Sequence, residues 1–359
     1  MSNSYKVVIE NDFDPEKMEV LWNQSPTAMI FNNPYWYLTN YQTFGPKRKI
    51  HHVTVWDADE QVASWPFWER RSRPHEALAR VIEPIGARVS DYTCPLVKPG
   101  IVVEEVVDLM LAALRQKLGP TSILLVPKYS PPGDENSDLS QLPSVKGLLS
   151  HHYSRPCTRQ KFGTTFEETE MAWKSSLRRE LRRCGRRLEE RGEVSLKVYE
   201  TADEITARLP TLFEMHIKEW EHKKDSSDFL NERDKDLFRT LAKFIPEDRI
   251  LYSELLLDGE PISCQFGFLD QGWLMLFKQT MDMEFRDISA GKLHFIYLIK
   301  WGIERGYHGL DLMQGSESYK RYWQNDPRES ISYAFSDKSA FPVWLWNTKY
   351  RKMKIEYWI

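Results

Sequence analysis

The chain predicts an α/β (α+β) fold in two successive halves, each a mixed and largely antiparallel sheet flanked by helices. Three observations lead there. Residues 250–280 hold three strand-like runs separated by Asp258-Gly259 and Asp270-Gln271-Gly272, the residues of tight hairpin turns. A helix and an apolar strand follow that meander. The same order of hairpin, connecting loop, amphipathic helix and apolar strand occupies roughly residues 50–126, without any residue-level repeat.

Composition narrows the class. With 359 residues, the chain has room for two domains of ordinary size, read here as 1–150 and 151–359. A net charge of −3 excludes a global field that would draw nucleic acid, so any basic surface must be local. Cys94, Cys157, Cys184 and Cys264 stand far apart and form no C-x-x-C pair, which argues against a zinc site or a disulfide framework; no metal is expected. Met1–Tyr5 is polar with no apolar stretch behind it, and no run of about 18 apolar residues occurs. The expected setting is cytoplasmic.

In chain order, Asp14-Pro15 opens a short helix through Trp22, and Pro34–Thr43 reads as a second. Ile50–Trp56 and Val62–Trp68 form a hairpin around Asp57-Ala58-Asp59, with Pro66 pointing to an edge or a bulge. Residues 84–97 carry Asp91-Tyr92, which read either as a buried contact that stabilises a loop or as substrate-facing groups. Val102–Leu118 is a helix with Val103, Val106, Leu109, Met110 and Leu114 at helical spacing, and Ile123–Val126 is a buried strand. Residues 131–138 form a surface loop between the halves.

The second half opens on a capping box, Thr165-Phe166-Glu167-Glu168. Trp173, Leu177, Leu181, Cys184 and Leu188 then make one apolar stripe. Beside it run seven arginines, among them Arg182 and Arg183, more than Glu180, Glu189 and Glu190 neutralise. Such a rail suits phosphates through bidentate guanidinium contacts, or is a solvated face. His216 and Trp220 are four apart on the next helix and share a face. After the meander come Arg286-Asp287-Ile288-Ser289-Ala290-Gly291-Lys292, a helix marked by Ile296, Ile299 and Ile303, and the strand Gly309–Met313. That strand breaks at Gln314-Gly315 and delivers Glu317, Tyr319 and Lys320.

These residues carry a resemblance. Asp311, Gly315, Tyr319, Lys320 and Trp323 fit a D-(apolar)-x-x-G-x-x-x-Y-K-x-x-W run. Asp91-Tyr92 fit G-x-x-x-x-D-Y-x-x-P, Arg182-Arg183 end an S-L-x-x-x-x-R-R helix, and His216 and Trp220 fit H-x-x-x-W. Together they resemble the acetyltransferases associated with bacterial cellulose and exopolysaccharide synthesis, a GNAT-superfamily branch with two GNAT-like halves. The Fem aminoacyl-tRNA-dependent transferases share that tandem architecture. Arg286, Ser289 and Gly291 resemble the GNAT phosphate loop Q/R-x-x-G-x-G/A, with Ser289 in place of the first glycine. Such a loop works through backbone N–H groups, here including Ala290 and Lys292, and the positive end of the next helix.

The resemblance implies acetyl-CoA or a longer acyl-CoA as co-substrate and direct attack by a neutral amine on the thioester. Tyr319 and His216 are the candidate proton donor and base, and Lys320 the holder of a phosphate or of developing negative charge. Asp91, Tyr92, Arg182, Arg183, Trp220, Asp311, Gly315 and Trp323 are the candidate substrate-binding residues. The first half lacks the phosphate loop, so the second is expected to hold the donor while the first shapes the acceptor site. The implied acceptor is an amine-bearing sugar of exopolysaccharide or envelope glycan. A long-chain sphingoid amine, a Fem-like reaction with aminoacyl-tRNA and a non-catalytic binding module are the alternatives. Finally, residues 341–359 join Trp344, Trp346, Tyr350, Tyr357 and Trp358 to Lys349, Arg351, Lys352 and Lys354, either a packed tail or a peripheral membrane contact at the inner face.

Overall fold

The computed structural model describes residues 5–71, 80–120, 122–133, 137–221, 223 and 225–337. The C-terminal aromatic and basic run from residue 341 lies outside them. The chain divides into two compact units, Met1–Arg155 with Glu329–Ile359, and Pro156–Arg328.

The first unit starts with β1 (Lys6–Glu10) and α1 (Pro15–Trp22), where Asp14 accepts hydrogen bonds from the N–H groups of Glu16 and Lys17 and Pro15 needs no donor. α2 (Pro34–Phe44) is capped by Asn33. β2 (Lys49–Asp57) and β3 (Glu60–Arg71) form the expected hairpin, followed by β4 (Arg80–Pro84), β5 (Leu96–Val97), α3 (Val103–Leu118) and β6 (Ser122–Tyr129). β3 is not an edge strand as Pro66 suggested: β2 lies on one side, and β5 and β4 on the other. Pro66 is tolerated because it falls between the β5 pairing at Ala63–Ser64 and the β4 pairing that starts at Phe67, with its carbonyl accepting from Ile85. α3 buries Val106, Val107, Met110, Leu111 and Leu114, so the stripe lies slightly round the helix from the expected one, with Val107 and Leu111 inside and Val103 and Leu109 at its border.

The second unit receives the end of β7 (Leu149–Lys161), then α4 (Phe166–Met171), α5 (Ser175–Glu189), β8 (Val194–Tyr199), α6 (Ala202–Trp220) and α7 (Glu232–Phe244). The meander is β9 (Ile250–Leu257), β10 (Glu260–Asp270) and β11 (Trp273–Met281). Both hairpins turn on paired positive φ angles, 50° and 84° at Asp258-Gly259 and 48° and 78° at Gln271-Gly272, which match the right-handed twist of the strands. α8 (Ala290–Glu304) crosses over to β12 (Gly309–Gln314), parallel to β11, and the strand order is β7-β12-β11-β10-β9-β8. The apolar stripe of α5 is buried as spaced, against α8, β9 and β11. β13 (Asp326–Ser336) then pairs with β6, returning the chain to the first unit. Reading 151–359 as one half did not anticipate that return, because the alternation of Ile331, Tyr333 and Phe335 marks a strand without naming its partner.

Candidate active site

The site is built where β11 and β12 part. They pair over Trp273–Met275 and Gly309–Asp311, after which β11 runs on to Met281 and β12 bends away. Two features turn β12. Its register against β7 jumps between Asp311 and Gln314, and Met313 takes a φ of 60°. The fully buried Asp311 carboxylate fixes that kink by accepting from the Met313 N–H at 2.8 Å and from Arg159 at 2.9 Å. Asp311 therefore acts through the backbone it shapes.

The following loop presents Gly315, Tyr319 and Lys320. Gly315 has φ 149°, and a Cβ there would lie 2.0 Å from Glu317 Oε2 and 2.5 Å from Lys320 Nζ. Lys320 is buried, and its ammonium donates to the Gln314 carbonyl at 2.8 Å and pairs with Glu317 at 3.2 Å. Tyr319 leans on Phe295 of α8. Burial first, then the carboxylates of Glu317 and Glu219, push its phenol well above the ordinary range, so it stays a proton donor. Trp323 is fully buried, edge-on to Trp173 and Phe295 at 5.1 and 5.5 Å, and anchors the loop to the core.

From α6 come His216, Trp220 and Glu219. His216 is buried, hydrogen-bonded through Nδ1 to Ser227 at 2.7 Å and stacked on Trp220. Burial lowers its pKa to about 4, so it is neutral at pH 7. Glu219 was missed by the sequence reading. Its Oε2 accepts from Thr280 Oγ1 at 2.8 Å and the Met281 N–H at 3.3 Å, at the end of β11 beyond its pairing with β12. The available signal was its place three residues after His216, on the same helix face.

The loop before α8 is a 3-10 turn, Met283–Ile288, ending at Ser289 with φ 55° and ψ 46°. That left-handed conformation explains why glycine suits the motif position that Ser289 fills. No side chain caps α8, and its first turn, Ala290, Gly291 and Lys292, holds no acid. Gln279 ties this end to β11 by donating to the Gly291 carbonyl at 2.9 Å. Lys292 pairs with Glu180 of α5, while Arg187 and Arg191 reach Asp287; Arg286 is exposed. One flank of the arginine helix therefore adjoins the loop. The two arginines singled out from the sequence lie elsewhere on it: Arg182 is held by Glu170 of α4 at 2.6 Å, and Arg183 is exposed. Asp91 and Tyr92 belong to the first unit, where Tyr92 is buried edge-on to Phe31 at 6.0 Å.

Comparison with known proteins agrees with this architecture. Residues 175–321 match the family described as acetyltransferase (GNAT) domain. No curated protein matches in sequence. Among solved structures, FemX is similar with a TM-score of 0.62 at 10% identity, over 91% of this chain and 96% of that one. The C-terminal domain of a putative lysylphosphatidylglycerol synthetase from Agrobacterium fabrum gives 0.54 at 10% identity, over 94% and 96%. A tandem GNAT protein from the clavulanic acid biosynthesis pathway gives 0.52 at 11% identity, over 94% and 100%. Residues 175–321, most of the second unit, are thus similar to a GNAT acetyltransferase domain, and the chain as a whole shares the fold of a tandem GNAT protein.

Proposed function

We propose that the chain is an acyl-CoA-dependent N-acyltransferase whose second unit binds the donor. One observation carries this reading: the α8 N-terminus is uncapped and free of acid, and it is tied by Gln279 to the strand whose edge β12 leaves open. Backbone N–H groups at a helix start, with Lys292 beside them, suit a pyrophosphate, and the open edge of β11 suits an extended acyl-bearing arm. In the proposed reaction the neutral amine attacks the thioester carbonyl, the C–S bond breaks and Tyr319 protonates the departing thiolate, and the proton that the attacking nitrogen sheds as it becomes the amide returns to the Tyr319 phenolate. Glu219 holds the acceptor amine, and Lys320 fixes the loop that carries Tyr319. His216, neutral and bonded to Ser227, is better suited to positioning Trp220 and Glu219 than to taking the proton itself.

The proposed acceptor is an amine-bearing sugar of exopolysaccharide or envelope glycan, and a long-chain sphingoid amine fits the same chemistry. The likeness to FemX supports a second reading, aminoacyl transfer from a charged tRNA. Calorimetric titration with acetyl-CoA, a long-chain acyl-CoA and charged tRNA separates them. Acyl-CoA is expected to bind, and Lys292→Gln to weaken it about tenfold by removing a charge-assisted contact. Tyr319→Phe is expected to keep donor affinity and lose roughly a hundredfold or more in turnover. A wild-type protein that binds neither acyl-CoA would sink the donor assignment.

A further inference from the structure

On α5, Leu177, Leu181, Cys184 and Leu188 are buried, and at about 100° per residue the opposite side carries Arg179, Arg183 and Arg186. All three are exposed, and among the described residues none forms an ion pair. They make a row about 10 Å long. The flank beside this row, away from the α8 N-terminus, continues onto α4: Arg178 lies against Met171 at 2.9 Å, and Met171 is 68% exposed. From α4 the surface passes to α8, where Lys300 sits over the rings of Phe166 and Tyr297 at 4.9 and 5.6 Å. One turn on, Arg305 covers Trp301 at 4.3 Å, and Trp301 stacks on Tyr307. Within one unit, the unpaired arginine row is thus linked, through Arg178 on Met171 and Lys300 on Phe166, to half-buried aromatic rings topped by cations.

We propose that this face of the second unit docks on an anionic phospholipid membrane, with the arginine row on the headgroup phosphates and the Trp301–Tyr307 band at the water–lipid boundary. Tryptophan and tyrosine favour that boundary, and clustered cations favour anionic leaflets. The chain's net charge of −3 makes the attraction local, so it orients the molecule as well as holding it. A nucleic acid is the weaker fit. Single strands are held by aromatic faces open to bases, whereas Trp301 is stacked on Tyr307 beneath Arg305, and the Phe166 and Tyr297 rings lie beneath Lys300. The surface is independent of the acyl-transfer reading, because none of its residues belongs to the Tyr319 loop or the α8 N-terminus.

The test is co-sedimentation of the full chain with vesicles of phosphatidylcholine alone or mixed equally with phosphatidylglycerol, at low and high salt. The wild type is expected to bind the anionic vesicles at low salt and leave them at high salt. The variant carrying Arg179→Gln, Arg183→Gln and Arg186→Gln is expected to bind about a hundredfold more weakly, at roughly a few-fold per cation. Its melting curve and its acyl-CoA titration report folding and donor binding separately. A second variant, Lys300→Gln with Arg305→Gln, probes the aromatic band and is expected to weaken binding as well. Absence of wild-type binding overturns the proposal. So does attachment that survives the triple substitution, which would place it outside this face, for example in the C-terminal run. Retention of an RNA hairpin with no affinity for vesicles overturns it in favour of nucleic acid.

Discussion

Gly315 shows how one missing methyl group holds the site loop together. Its φ of 149° is a backbone state that favours glycine, and the space beside it is filled by Glu317 and Lys320. Gly315→Ala must therefore push the Lys320 ammonium off the Gln314 carbonyl and strain the backbone. The expected outcome is a stability loss of about 1–3 kcal/mol in urea denaturation, with turnover falling further than stability alone explains. Asp311→Asn tests the strand beneath it. Removing the charge leaves Arg159 without its carboxylate, and the expected cost is about 3–5 kcal/mol. The buried histidines weaken the fold in acid. His52 and His216 are lowered to about 4 and His294 to about 3, each chiefly by burial. The unfolded chain therefore binds more protons than the native one below about pH 6.5, so their contribution is complete above that pH and is lost as pH falls toward 4. Thermal melting is expected to drop steadily across that window. His294→Gln, which removes the histidine between Ser253 and Ser263, is expected to shallow the slope, whereas an unchanged slope would mean that this histidine does not govern it.

At the scale of elements, legibility in the sequence followed the locality of the physics. The meander was readable because Asp-Gly and Gln-Gly turns impose their own backbone angles, and α5 because its stripe has strict helical spacing. The loop before α8 was readable as a motif, but the reason for its glycine position was not. That reason lies in the left-handed angles at Ser289, and Ser289→Val, branched at Cβ, is expected to destabilise the fold by about 1–2 kcal/mol in the same denaturation assay. Arg182 and Arg183 were legible as cations and illegible as partners. Position around the helix sends Arg182 to Glu170, Arg187 to Asp287 and Arg183 to solvent, and those neighbours come from α4 and the 3-10 turn. Glu219 was legible only as a neighbour of His216 on one helix face; its partners Thr280 and Met281 are about 60 residues downstream, and helix spacing does not name them.

At the scale of the whole molecule, the two units repeat one plan and differ in what fills it. In each, a strand pairs in parallel with a later one over three residues: β4 with β6 at Arg80–Ile82, and β11 with β12 at Trp273–Met275. In each, the later strand then kinks at a non-glycine residue of positive φ, Lys128 at 56° and Met313 at 60°. Beyond the parallel pairing the first unit closes the gap with its own chain. Thr93 bridges to Tyr129, its N–H donates to the Lys128 carbonyl at 2.8 Å, and its carbonyl accepts from Ser130. Lys128 Nζ completes the closure by donating to the Ser90 carbonyl at 2.7 Å. The crossover helices differ as well. α3 carries Glu104 and Glu105 in its first turn, which oppose an incoming phosphate, whereas α8 carries no acid there and has Lys292. A closed strand edge and an acidic helix start both argue against a donor in the first unit, so the chain is expected to bind one acyl-CoA. Calorimetric titration should give a stoichiometry of one, unchanged by Lys128→Met, which loosens only the first unit. The affinity should fall with Lys292→Gln. A stoichiometry of two, or loss of binding in the Lys128 variant while its melting curve stays intact, would place a donor site in the first unit and reverse the assignment.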